Sequence, residues 1–79
     1  MSPEEVTALL QSELADCDIR VEVEGSHYNI VAIGDLFEGM RSVLRQQTIY
    51  KVLNPHIASG AMHAVNMKIF TVAEWQQRA

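Results

Sequence analysis

The sequence predicts an α+β domain in the order α-β-β-α-β-α, with a three-stranded mixed sheet and helices packed on one face. Three observations carry that expectation. Two helix starts are written as capping signatures, Ser2 with Glu5 and Thr71 with Glu74. Three segments of strand length alternate or run apolar, over residues 19–23, 27–33 and 63–69. The first two are joined by a tight turn and the last two by a long helical crossover. The connections therefore give antiparallel, then parallel, right-handed pairing.

Each element follows in order. Ser2 caps the first helix and Pro3 takes its first position, where a missing N–H is harmless. Val6, Leu9, Leu10 and Leu14 then share one helical face. Asp16 and Asp18 flank Cys17 in an exit turn. Ile19, Val21 and Val23 alternate with Arg20, Glu22 and Glu24, so the first strand has one wet face. Glu24-Gly25-Ser26 forms the turn. Ile30 to Ile33 are apolar in succession, as a central strand covered on both faces requires.

Gly34-Asp35 ends that strand, and residues 36–39 make an irregular corner. A helix is expected over about residues 40–53. Pro55 bars its simple continuation, because the residue before a proline avoids helical angles. Residues 56–59 leave room for one more turn, closed by Gly60. In the last third His63, Val65, Met67 and Ile69 point to one face, and Ala64, Asn66 and Lys68 to the other.

The composition narrows the function classes. Seventy-nine residues make a single domain, 1–79, with a marginal core. Cys17 alone cannot build a disulfide framework, which fits a reducing cytoplasm. No basic leader and no long apolar run are present, so neither secretion nor a membrane span is expected. A net charge of −4 disfavours nucleic acid as the default partner. There is no nucleophile-base-acid set, no phosphate-binding glycine loop and no evident pair of catalytic acids, so an enzyme is not expected.

The candidate residues are two histidines and three cations. Parallel neighbours start at one edge of a sheet, so His27 and His63 share a rim beside the 24–26 turn. A lone histidine on an apolar row is more often structural than a ligand. At a strand start, however, one ring nitrogen can face a partner's metal while a hydrogen bond from the protein holds the other. Two histidines fall short of a closed zinc site but supply half of a shared one. His56 has no assigned role. The aspartates beside Cys17 oppose its thiolate, so no reactive role is expected. Arg41 and Arg45 share a helix face with Thr48, and Lys51 lies to the side. That pattern is a solvated face or a weak, salt-sensitive surface for a partner or nucleic acid.

Together these residues resemble the BolA-like family over nearly the whole chain. The likeness rests on Gly25-Ser26-His27-Tyr28, Phe37-Glu38-Gly39, Arg45-Gln46-Gln47 with Val52-Leu53, Met62-His63-Ala64, Phe70-Thr71 and Glu74-Trp75. The short turn before His27 is similar to the acid-stress branch of that family. The resemblance implies a class II KH-like α/β fold. It implies a cytoplasmic partner, a monothiol glutaredoxin that holds a [2Fe-2S] cluster with its own cysteine and a glutathione. Family members donate a histidine at the start of the third strand to that cluster, which maps onto His63. Their second ligand, His or Cys, comes from the loop between the first two strands. Here that position falls near Glu24, and His27 is the soft ligand beside it. The isolated chain is expected to carry no cofactor and to be a monomer or weak homodimer. Two other readings follow from the family. One is a stress regulator that binds DNA through a helix-turn-helix-like segment, residues 37–53 with Arg41, Arg45 and Lys51. The other is a cluster-free regulator of glutaredoxin.

Overall fold

Two reciprocal hydrogen bonds open α1 (Pro3–Glu13): the Glu5 N–H donates to Ser2 Oγ at 3.1 Å, and the Ser2 N–H donates to Glu5 Oε1 at 3.0 Å. The computed structural model describes residues 1–78. After α1 come β1 (Asp18–Glu24), β2 (His27–Ile33), a 3-10 turn (Asp35–Phe37), α2 (Ser42–Ala58), β3 (Ala64–Phe70) and α3 (Val72–Gln77). The expected α-β-β-α-β-α order is the observed one.

The sheet order is β1-β2-β3, with β1 antiparallel and β3 parallel to the central β2. Gly25 turns the first hairpin with φ of 62°, while Ser26 keeps a negative φ. Positive φ at the first central residue alone is the type II′ pattern, which matches the strand twist and favours glycine there. The turn sets the register, Glu24 opposite His27 and Asp18 opposite Ile33.

One face of the sheet receives the two long helices. Ile19, Val21, Tyr28, Ile30, Ala32, Val65, Met67 and Ile69 meet Val6, Leu10 and Leu14 from the first helical segment and Ile49 and Leu53 from α2. Phe37, from the irregular corner, is fully buried among them. Each buried Leu, Ile or Phe contributes on the order of 1.5–3 kcal/mol of transfer free energy. Leu14 sits in this core as the residue that caps α1 rather than as part of the helix.

Two differences from expectation have physical causes. The helix α2 does not stop before Pro55 but runs through it to Ala58. The proline lies in the last turn, where its missing N–H removes a single bond. The turn is secured beyond it by a Schellman motif: the Gly60 N–H donates to Ile57 O at 3.1 Å and the Ala61 N–H to His56 O at 2.9 Å. Gly60 takes φ of 84°, which an L side chain resists. The second difference concerns α3. The Trp75 ring packs edge-on to Phe70 with centroids 5.3 Å apart, and the Arg20 guanidinium lies 4.9 Å from it. Arg20 alternates with buried Ile19, so it leaves the sheet on the other face. The short α3 therefore closes the end of the sheet.

A partly buried arginine holds α3 there. Arg45 Nε donates to Met40 O at 3.0 Å, and Nη1 to Ile69 O at 3.3 Å. Nη1 and Nη2 grip the Glu74 carboxylate at 2.6 and 3.3 Å. Glu74 Oε1 also accepts the Thr71 N–H at 2.8 Å, so the capping box and the ion pair share one carboxylate. The Arg45 hydrogen bond first, and the Thr71 N–H second, lower the Glu74 pKa to about 2.

At the opposite end of the sheet from the hairpin, Gly34 leaves room for a thiol. A Cβ placed there would lie 2.6 Å from Cys17 Sγ. The backbone is extended at Gly34, so the constraint is space and not conformation. Burial first, and Asp16 second, push the Cys17 thiol pKa up, which keeps it an inert packing group.

Two outcomes are expected. Gly34→Ala destabilises the fold by about 1–3 kcal/mol in urea unfolding, the usual cost of overpacking. Cys17→Ala in the same chain restores most of that loss; no restoration means the sulfur is not the obstacle. The second concerns acid. A carboxylate with a lowered folded pKa stabilises the fold above its unfolded value, about 4.3. That contribution fades as pH falls and is gone below the folded value of about 2. Glu74→Gln should therefore flatten the fall of the urea midpoint between about pH 5 and pH 2. An unchanged slope would remove this ion pair from the acid response.

Candidate functional site at the β2–β3 rim

The parallel register puts His27 opposite Ala64, so His63 stands one residue upstream at the same rim. His27 also faces Glu24 across the hairpin. The expected shared rim is thus present. The His63 side chain is exposed there. The ladder begins at Ala64, and Met62, only 1% exposed, is the residue that enters the core. His63 lies between a buried anchor and the first paired residue of β3.

His27 belongs to the uncovered face of the sheet. It lines a shallow groove with Glu24, Gly25, Asn29 and Asn66. Asn66 Nδ2 donates to Asn29 Oδ1 at 3.3 Å across the groove floor. Among the described residues neither histidine side chain makes a hydrogen bond, so the protein does not fix a ring tautomer as expected for His63. Both imidazoles are free to accept a ligand bond.

The rim offers imidazole nitrogen and, from Glu24, carboxylate oxygen. Thiolate is absent from it. Cys17 precedes β1 at the far end of the sheet, about 20 Å away at the rise of a strand. Among the described residues no three His, Cys, Asp or Glu side chains gather at metal-binding distances. The residues present fit a group that brings its remaining ligands from another molecule.

The cationic helix face is smaller than its sequence suggests. Arg45, with a side chain 15% exposed, is committed to Glu74 and two carbonyls and is withdrawn from that face. Arg41 is the residue before the first turn of α2, and it and Lys51 remain exposed. Nothing local in the chain links residues 45 and 74, so alternation and spacing could not reveal the pair. Tyr28, whose phenol meets residue 1 and the loop before His63, was equally invisible.

Comparison with known proteins matches the chain and its fold to one family. A family model described as BolA-like protein matches residues 1–74. The acid stress protein IbaG of Escherichia coli is 40% identical over 75 residues, which cover 95% of this chain and 89% of that protein. A bolA protein homologue from Coxiella burnetii shares the fold, with a TM-score of 0.85 over 98% of this chain and 99% of that one at 23% identity. The BolA domain of SufE1 from Arabidopsis thaliana gives a TM-score of 0.79 at 28% identity, covering 91% of this chain and 93% of that domain. With the same element order, a family match across nearly its full length and a 40% identical relative, the chain belongs to the BolA-like family.

Proposed function

We propose that this chain is a non-enzymatic adaptor in iron–sulfur cluster trafficking and iron homeostasis. It binds a monothiol glutaredoxin and shares a [2Fe-2S] cluster, its cargo, through His63. The observation that carries the reading is the presentation of His63: exposed, without a hydrogen-bond partner among the described residues, and set between buried Met62 and paired Ala64. Family membership supports it, since BolA proteins generally act as regulators or adaptors rather than catalysts. The glutaredoxin brings the cysteine and glutathione thiolates that this rim lacks.

The chemistry favours such an exchange. Imidazole in place of a thiolate removes negative charge from a cluster and raises its potential. A ligand that can be protonated near neutral pH also makes the shared state sensitive to acid. His27 stands at the same rim as an alternative second donor beside Glu24. No described helix is long and apolar enough to cross a membrane. The cytoplasm is proposed because the glutaredoxin partner is proposed to act there. The DNA-binding reading loses one of its three cations to the Arg45–Glu74 pair.

The test is anaerobic mixing with cluster-loaded monothiol glutaredoxin, followed by absorption and circular dichroism. His63→Ala should stay folded, within about 0.5 kcal/mol of the parent, as exposed positions usually do. It should lose the histidine-ligated signature while association survives in weakened form. An unchanged signature removes His63 as the ligand, and binding with no cluster in any variant favours the cluster-free regulator. Arg41→Ala with Lys51→Ala should leave the shared cluster intact. Tight DNA binding by the parent, with a salt slope that falls by about one unit per removed cation, would instead favour the DNA-binding reading.

A further inference from the structure

Buried Tyr28 does more than fill the core. Its ring is 6% exposed, and its backbone pairs with Val65 in β3. Its hydroxyl donates to Met1 O at 2.6 Å and accepts from the Met1 ammonium at 3.1 Å. The same ammonium lies 3.4 Å from Ala61 O, and the Tyr28 hydroxyl 3.5 Å from it, both at the outer limit of a hydrogen bond. One phenol thus ties residue 1 to the loop that ends two residues before His63.

That loop has other restraints on its upstream side. His56 O accepts the Ala61 N–H at 2.9 Å and the Met62 N–H at 3.2 Å, which fixes the backbone as it leaves α2. The Ala61 carbonyl meets only the Tyr28 and Met1 groups among the described residues. Among the described residues the His63 side chain makes no hydrogen bond, so its position is set by the backbone that carries it. A ligand that must meet a partner's cluster benefits from a fixed starting point, because a misplaced donor loses much of its effect.

We propose that Tyr28 is the positioning residue of the His63 site: through residue 1 its phenol holds segment 60–62, so that His63 is presented in one place. The inference rests on the adaptor reading for its purpose, but the restraint itself is measurable without a cluster.

Tyr28→Phe keeps the ring and removes only the hydroxyl; Tyr50→Phe, on α2, serves as the control. Amide hydrogen exchange is measured on each full chain, and each is then mixed with cluster-loaded glutaredoxin. Tyr28→Phe should speed exchange at residues 61–64 at least about threefold, as loss of one hydrogen bond allows, and leave β1 and α3 unchanged. In the mixed complex its histidine-ligated signature should become weaker or heterogeneous. Tyr50→Phe should do neither. Exchange that rises evenly along the chain makes Tyr28 a packing residue and overturns the inference. So does local loosening with an unchanged cluster signature. If the parent chain itself shows no histidine ligation, the adaptor reading fails, and exchange at 61–64 alone decides whether Tyr28 fixes the segment.

Discussion

The parallel pairing of β2 with β3 is the constraint on which the rest depends. It requires a crossover, and α2 supplies one that covers the sheet on its way back. It sets His27 opposite Ala64 and so brings two histidines from distant parts of the chain to one rim. It also makes β2 central, which is why Ile30 and Ala32 are sealed on the helical side while Ile33 is buried near the α3 end.

The crossover must also end well. A helix that passes through Pro55 and stops at Ala58 leaves carbonyls to satisfy, and the Gly60 motif satisfies two of them. The chain then drives Met62 into the core and leaves His63 outside. Buried Met62 and the Tyr28 tether restrain the backbone on the upstream side of His63. Among the described residues no buried side-chain nitrogen or oxygen lacks a partner. The unpartnered imidazole is therefore a surface feature, and its availability imposes no desolvation cost on the fold.

Much of the fold was legible because its signals are local. Both capping boxes, the Gly25 turn, the alternation in β1 and the apolar run in β2 lie within a few residues of what they specify. The misses came from contacts that span the chain. Arg45 read as a free cation because its partner lies 29 residues away. Phe37 read as a corner residue, although it is fully buried. The place of α3 depends on Trp75 meeting Arg20, which no period in the sequence encodes. Alternation puts His63 on the row of Val65, Met67 and Ile69, and its place ahead of the first paired residue leaves it exposed. The rim location survived because it depends on topology rather than on side-chain direction.

The central claim is that an imidazole of this chain reaches a cluster held by a partner. It is tested most directly by labelling only this chain with nitrogen-15 histidine, mixing it anaerobically with unlabelled cluster-loaded glutaredoxin, reducing the complex and recording pulsed electron paramagnetic resonance. The account expects a nitrogen-15 coupling of directly ligated strength, which disappears when His63 alone is replaced. A cluster that stays in the complex with no nitrogen-15 coupling from this chain would contradict it.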